Sequence, residues 1–221
     1  MLLPPDHSLV LAWGLALGET ALVVPASTIL RLQRSLQNND PVLFFTGPMM
    51  NAATPSWEDD IFDAFKSAGV SQVPYVPDAG HAHLIRRVHA DPAMTPLVLT
   101  TEEEGVASCC GAWLGGKKSV LLMQSSGVGN CVNMLSLVTN CNFPFLTIVS
   151  MRGEYGEFNS WQVPMARATQ TSFEMMGVEV MRCNSPDEVG PTVDAALYSV
   201  FASEQKIAIL LSQRLIGRKV W

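Results

Sequence analysis

The stretch LLMQSSGVGNCVN, residues 121–133, carries the strongest fold signal in the chain. It begins with apolar residues, passes through a turn that contains Gly127 and Gly129, and continues as a helix. A continuous apolar strand of this kind is typical of a parallel sheet covered by helices on both faces. The turn offers backbone N–H groups at the carboxyl edge of the sheet, which favours an anionic or polar ligand there.

The same alternation of strands and helices extends over residues 56–218. Strands are predicted at residues 72–76, 97–100, 119–123, 145–151, 178–182 and 206–212. Capping boxes begin two helices, at Ser56 with Asp59 and at Ser185 with Glu188, and Gly69 ends the first of them. We therefore predict an α/β fold, a three-layer doubly wound domain with a six-stranded, mainly parallel sheet.

Residues 1–55 lack this alternation and are predicted to be an N-terminal extension. Prolines interrupt them at six positions: Pro4, Pro5, Pro25, Pro41, Pro48 and Pro55. One hypothesis is that translation starts at Met49 or Met50, just before the first capped helix. The other is that the segment is an arm that packs on a partner.

Composition restricts the classes of partner. The 221 residues are 48% hydrophobic and 15% charged, with a net charge of -6, and the mean hydropathy of +0.21 excludes a disordered chain. No Lys/Arg cluster is longer than a pair, so neither nucleic acid nor an anionic membrane is expected as the main partner. The apolar run at residues 9–17 is too short to span a bilayer. Five cysteines without a CxxC pair indicate a reducing cytoplasm rather than disulfides or zinc.

Three consecutive acids, Glu102, Glu103 and Glu104, begin a helix that continues with small residues. Acids at a helix N-terminus complement the helix dipole, which is one sufficient explanation for them. The small residues suit the close approach of another backbone or a ligand, so we predict an interface helix. Cys109 and Cys110 within it are interpreted as buried apolar residues rather than nucleophiles.

The turn at Gly127 and Gly129 does not match a dinucleotide fingerprint, because Val132 occupies the place of the third glycine. It also lacks the lysine of a P-loop. A simple tight turn between strand and helix therefore remains an alternative to a ligand site.

The loop and helix over residues 150–170 offer groups for an anionic substrate. Arg152 and Arg167 can form bidentate hydrogen bonds, and Gln162 supplies a donor and an acceptor. A surface ion pair of the arginines with Glu154 or Glu157 is the alternative.

Asp78 is predicted to follow the first strand, with His81 and His83 shortly after it. Asp78 is interpreted either as a site residue or as the cap of the next helix. His81 and His83 are two residues apart, so on a helix they point in different directions and a joint metal site is not expected.

The order of these motifs resembles a known family. "VPD" at 76–78, "EEEG" at 102–105, "LLMQSSGVGN" at 121–130, "RGEYGE" at 152–157 and "QVPMARAT" at 162–169 occur in the same order and spacing as in thiamine-diphosphate-dependent 2-oxo acid decarboxylases. The similarity is to the pyrimidine-binding alpha subunits of sulfopyruvate decarboxylase, and phosphonopyruvate decarboxylase is related to them. The resemblance implies a carboxy-lyase that converts sulfopyruvate to sulfoacetaldehyde and CO2.

The resemblance also implies roles for individual residues. Glu103 corresponds to the catalytic glutamate, which contacts the aminopyrimidine of the cofactor, and a carboxyl among other acids is suited to sharing a proton. The cofactor-binding residues are then Glu103, Gln124, Ser126, Gly127, Gly129 and Asn130. The substrate-binding residues are Asp78, Gln162 and Arg167.

The family binds the diphosphate through Mg2+ on a Gly-Asp-Gly motif, which this sequence lacks. The resemblance therefore implies that a beta subunit holds Mg2+ and the diphosphate, that the active site lies between the two chains, and that this chain contributes no metal ligand. Two alternatives remain open: a subunit acting on phosphonopyruvate or another 2-oxo acid, and a non-catalytic binding module on the same fold.

Overall fold

The computed structural model describes residues 56–218, which lie within the second of the chain's two units, Ala52–Trp221. The predicted extension and the hypothesis about Met49 and Met50 fall outside the described residues. The helices are α1 Trp57–Ala68, α2 Ala82–Ala90, α3 Glu102–Leu114, α4 Val128–Cys131, α5 Leu135–Asn140, α6 Gln162–Met175, α7 Pro186–Ser203 and α8 Gln213–Ile216. The strands are β1 Val70–Tyr75, β2 Thr95–Val98, β3 Lys118–Ser119, β4 Leu121–Gln124, β5 Phe145–Ser150, β6 Glu179–Cys183 and β7 Lys206–Leu211.

All strand pairs in residues 56–218 are parallel, in the order β2-β1-β4-β5-β7-β6, with β3 paired to β1. The predicted parallel sheet is confirmed, with one difference. The strand predicted at 119–123 is divided into β3 and β4, because β3 pairs beside β1 with a register shift whereas β4 pairs mainly with β5. Val120, between them, donates its backbone N–H to the Gln72 carbonyl at 3.1 Å.

Two hydrophobic cores lie on opposite faces of the sheet, which confirms the three-layer prediction. Helices α1, α2 and α7 cover one face, and α3 to α6 cover the other. Successive strand residues point to opposite faces, so Leu122 packs in the first core and Leu121 in the second. Strands buried on both sides explain the continuous apolar runs of the sequence.

The predicted capping residues are found at the ends of α1 and at the start of α7. The capping boxes at Ser56 and Ser185 are both formed, and α1 ends at Gly69, whose φ of 74° suits a residue without a Cβ. No helix within residues 56–218 combines the length and the apolar character needed to cross a bilayer.

Small residues on one face of α3 allow the helix to pack closely against the chain's own sheet. A Cβ at Gly105 would lie 2.4 Å from a methyl carbon of Leu121, so this glycine allows the helix to pack closely on β4. Cys109 and Cys110 are buried as predicted, and burial raises the pKa of their thiols to about 12 and about 11. The prediction of an interface helix therefore applies only to the exposed face of α3.

Candidate functional site

The carboxyl ends of β1, β4 and β5 are joined by one carboxylate, that of Asp78. The side-chain amide of Gln124 donates to Asp78 Oδ1 at 2.9 Å, and the Ser150 hydroxyl donates to Oδ2. Ser126 in turn donates to Gln124 Oε1 at 2.9 Å. Asp78 stands at the N-cap position of the short 3-10 turn Ala79–His81, but its buried side chain makes no cap hydrogen bond, because it is directed to Gln124 and Ser150 instead.

The turn after β4 is a single 3-10 turn, Ser125–Gly127, that leads into α4. Gly127 is needed for space and not for an unusual backbone, since its φ is −75°. A Cβ at Gly127 would lie 2.2 Å from the carboxyl carbon of Glu102. At Gly129 it would lie 3.3 Å from the sulfur of Met165. The turn therefore receives a glutamate side chain directly against its backbone.

Only one of the three consecutive acids is enclosed in this turn. Glu102 is buried, and Asn130 donates its side-chain amide to Glu102 Oε2 at 2.9 Å. Glu103, the predicted catalytic residue, is half-buried and accepts a hydrogen bond from the Thr101 hydroxyl. Glu104 is exposed and accepts from the backbone of Thr100 at 3.0 Å.

Helical spacing was the signal that could have singled out Glu102. It lies three, four and seven positions before Gly105, Val106 and Cys109, which all face the sheet. Glu103 follows Glu102 by about 100° around the helix and leaves that face.

A cavity of about 160 Å³ opens beside Asp78 at the same edge of the sheet. Its walls come from the turn after β1, the ends of β5 and α8, and the loop that follows β5. The lining residues are Asp78, Ala79, Gly80, Ser150, Arg152, Ile216, Gly217 and Arg218.

Arg152 reaches this cavity as half of a buried ion pair. Its Nε and Nη2 donate to the two carboxylate oxygens of Glu157 at 2.6 and 2.7 Å, and the Glu157 side chain is only 3% exposed. The guanidinium lowers the pKa of Glu157 from 4.5 to about 2. The ion-pair alternative is thus correct for Arg152, but the pair is enclosed and not on the surface.

The two other predicted substrate residues are placed differently. Arg167 is exposed on α6 and makes no hydrogen bond or ion pair with any residue of the described range. Gln162 is half-buried at the start of α6, and its buried Oε1 has no hydrogen-bond partner within residues 56–218. The structure therefore does not bring Arg167 to the cavity that contains Asp78.

The two histidines after β1 lie in separate environments. His81 is buried, with Nε2 at 3.3 Å from the Met123 carbonyl, and burial lowers the pKa of its imidazole. His83 instead contacts Asp59 at 2.9 Å. In the part of the chain that the structure describes, no three His, Cys, Asp or Glu side chains are grouped so that they could hold a metal ion.

Comparison with solved structures identifies the class of fold. A 2-oxoglutarate:ferredoxin oxidoreductase from Magnetococcus marinus superposes with a TM-score of 0.58 and 14% identity, covering 87% of this chain and 40% of that one. A protein from Mycobacterium smegmatis described as a thiamin diphosphate-dependent enzyme gives a TM-score of 0.57 and 15% identity, covering 76% and 33%. The fold is that of thiamine-diphosphate-dependent enzymes.

Sequence relatives identify the family. The sulfopyruvate decarboxylase alpha subunit of Methanococcus maripaludis is 36% identical over 152 residues, which cover 68% of this chain and 91% of that protein. The chain belongs to the family of sulfopyruvate decarboxylase alpha subunits. No protein-family model matches the chain.

Two longer relatives match over a smaller share of their own length. The sulfopyruvate decarboxylase of Methanosarcina acetivorans is 28% identical, and the match covers 74% of this chain and 41% of that protein. The phosphonopyruvate decarboxylase of Streptomyces viridochromogenes is 32% identical, with coverages of 72% and 41%.

Proposed function

We propose that this chain is the alpha subunit of a thiamine-diphosphate-dependent decarboxylase whose substrate is sulfopyruvate. Family membership supports the reaction, and the observation that carries the site is the Glu102 carboxylate, enclosed between Gly127 and Asn130 at the carboxyl edge of the sheet. Ligands of open α/β sheets bind at this edge.

The residues around Glu102 fit the pyrimidine end of the cofactor. Bound thiamine diphosphate supplies the electron-accepting centre that a 2-oxo acid needs in order to lose CO2. Glu102 is suited to hold a proton at a ring nitrogen, because it is shielded from water and oriented by the Asn130 amide. Gly127 keeps the space that this carboxyl needs. Glu103, the residue predicted from the resemblance, is the second candidate for this role.

The turn residues Gln124, Ser126 and Gly129 remain proposed cofactor contacts. Gln124 and Ser126 form one hydrogen-bonded chain with Asp78, so a ligand in the turn would meet groups whose positions are already fixed. Gln162 remains a proposed substrate contact, since its unpartnered Oε1 is an acceptor at the start of α6.

A partner subunit is proposed to complete the site. The proposal is supported by the relatives: the match covers 91% of a protein named as an alpha subunit and 41% of the longer Methanosarcina acetivorans decarboxylase. We propose that a beta subunit binds Mg2+ and the diphosphate. The expected location is the cytoplasm, and all five cysteines are free thiols.

The exposed face of α3 is the proposed contact with that partner. Ala107, Gly111 and Leu114 lie along it at helical spacing, and Leu114 is 76% exposed. A Cβ at Gly111 would meet no atom of the described residues within 4 Å. No side chain of residues 56–218 covers Gly111, so we propose this face, which the sheet does not use, as the contact with a second chain.

The test is CO2 release by the chain purified together with its partner subunit, with thiamine diphosphate and Mg2+ added. We expect turnover of sulfopyruvate that exceeds turnover of phosphonopyruvate and pyruvate, and no turnover by this chain alone. Higher activity on phosphonopyruvate would assign the complex to that substrate. Inactivity on all three 2-oxo acids would favour the non-catalytic binding module.

A further inference from the structure

We propose that the cavity beside Asp78 receives the sulfonate group of the substrate and that Arg152 recognises it, with Glu157 as the residue that positions Arg152. The proposal rests on the function proposed above and names the group that determines substrate choice. It replaces Arg167 by Arg152 as the recognising arginine.

The guanidinium of Arg152 has donors left for a ligand. Glu157 occupies Nε and one hydrogen of Nη2, and Nη1 makes no hydrogen bond to any residue between 56 and 218. Arg152 also lines the cavity wall. A planar guanidinium whose Nη1/Nη2 edge is left free suits the oxygens of a sulfonate, which accept several hydrogen bonds at once.

Glu157 fixes the plane of that guanidinium. Its carboxylate accepts from Arg152 twice, and Gln213, which is fully buried, donates to it at 3.0 Å. The Gln213 side-chain oxygen accepts from the backbone of Glu154 and Tyr155, both at 2.9 Å. The loop after β5 is therefore anchored to the start of α8, and Arg152 cannot swing away without breaking these contacts.

The cavity offers guanidinium donors to an anion, while Glu157 balances the charge of Arg152. Arg152 and Arg218 line it, and Asp78 is the one carboxylate among its lining residues. Each oxygen of Asp78 accepts a hydrogen bond from a strand end, Oδ1 from Gln124 and Oδ2 from Ser150. We therefore interpret Asp78 as a group that organises the strand ends rather than one that contacts the substrate.

The cavity adjoins the proposed cofactor turn and has a suitable size. The backbone N–H of Arg152 donates to the Ser125 hydroxyl at 3.1 Å, so the arginine is attached to the turn that Gln124 begins. The volume of about 160 Å³ leaves room for several water molecules. That space accommodates the sulfonate group of a substrate whose reacting carbon lies beside the cofactor turn.

The experiment compares Arg152→Gln, Arg152→Lys and the matched control Arg167→Gln in the complex with the partner subunit, using sulfopyruvate and pyruvate. We expect Arg152→Gln to raise KM for sulfopyruvate about 30-fold, because charge-assisted hydrogen bonds are lost, with pyruvate kinetics changed less than about 3-fold. Arg152→Lys keeps the positive charge but lacks the planar guanidinium, and its KM for sulfopyruvate is expected to lie between those of wild type and Arg152→Gln. Arg167→Gln should leave the kinetics on both substrates unchanged.

Glu157→Gln separates positioning from charge. Removing this carboxylate makes the cavity more positive, so a purely electrostatic role predicts a lower KM for sulfopyruvate. We expect a KM raised about 10-fold with kcat nearly unchanged, because the guanidinium plane is no longer held. A lower KM would overturn the positioning role.

Binding provides a readout that does not depend on turnover. Ethanesulfonate should raise the melting temperature of the wild-type and Arg167→Gln complexes and leave that of Arg152→Gln unchanged. Equal losses on sulfopyruvate and pyruvate in Arg152→Gln, or no protection of the wild type by ethanesulfonate, would overturn the sulfonate assignment. If the wild-type complex does not turn over sulfopyruvate but ethanesulfonate protects it through Arg152, the proposed substrate fails and the anion site stands.

Discussion

Asn130 donates its side-chain amide to the carboxylate of Glu102, with 2.9 Å between Nδ2 and Oε2. The two residues are 28 positions apart and belong to α4 and α3, which meet at the turn after β4. This contact distinguishes Glu102 from its two acidic neighbours, because it orients a carboxyl that the turn already encloses.

The first prediction compares Glu102→Gln with Glu103→Gln in the complete complex. Glutamine at 102 keeps an oxygen for Asn130 but cannot exchange a proton, so we expect the decarboxylation rate to fall about 100-fold or more. Glu103→Gln is expected to change the rate less than about 5-fold, because within residues 56–218 the side chain of Glu103 is hydrogen-bonded to Thr101 and not to the turn after β4. Steady-state CO2 release measures both, and the reverse ranking would restore Glu103 as the catalytic residue.

Gly127→Ala tests the space that Glu102 occupies. The added Cβ would lie 2.2 Å from the Glu102 carboxyl carbon, so the side chain must move and the Asn130 contact is lost. We expect an activity loss comparable to that of Glu102→Gln, and a destabilisation of about 1–3 kcal/mol from overpacking. Gly190→Ala, in α7 on the other face of the sheet, is the matched control, since its Cβ would lie 3.3 Å from Asp60 Cβ and far from the proposed cofactor contacts. Equal, small effects of both substitutions would contradict the enclosed position of Glu102.

Gly111→Arg tests the exposed face of α3. The substitution adds a long charged side chain where the described residues leave open space, so the chain should fold with an unchanged melting temperature. Assembly with the partner subunit should be lost, as measured by co-purification and size-exclusion chromatography. Ala195→Arg, on the exposed side of α7 across the sheet, is the control and should assemble normally. Normal assembly of Gly111→Arg would exclude this face as the contact.

Glu157→Gln is also expected to change the pH dependence of stability. The folded-state pKa of about 2 is below the ordinary value of 4.5, so the ion pair stabilises the fold fully above pH 4.5 and loses this effect as the pH falls toward 2. We expect wild type to be more stable than the variant by about 2–3 kcal/mol at pH 7, with a difference that narrows below pH 4.5.

Urea unfolding at several pH values measures this difference. Glu154→Gln is the matched control, because its pair with Arg182 is more exposed and is expected to contribute about 0–1 kcal/mol. A difference for Glu157→Gln that stayed constant down to pH 2 would show that the carboxylate does not act through its charge.

The sequence was most informative where the structure depends on neighbouring residues. Capping boxes and the apolar strands on either side of Gly127 are local patterns, and they were predicted correctly. The burial of Glu102 could also have been predicted, from its helical spacing to Gly105 and Cys109. The position of Arg152, on which its proposed role rests, could not be predicted, because it depends on a buried contact between Glu157 and Gln213, which are 56 positions apart.

Asp78 ties the ends of three strands together, and this has a consequence for how such a protein can change its substrate. Any replacement of Asp78 would disturb the cofactor turn through Gln124 and the substrate cavity through Ser150 at the same time. Variation in acid preference is therefore expected to arise by exchange of Ala79, Arg152 and Arg218, which line the cavity without joining the strands. An engineer who seeks a decarboxylase for another 2-oxo acid should randomise those three positions and leave the aspartate in place.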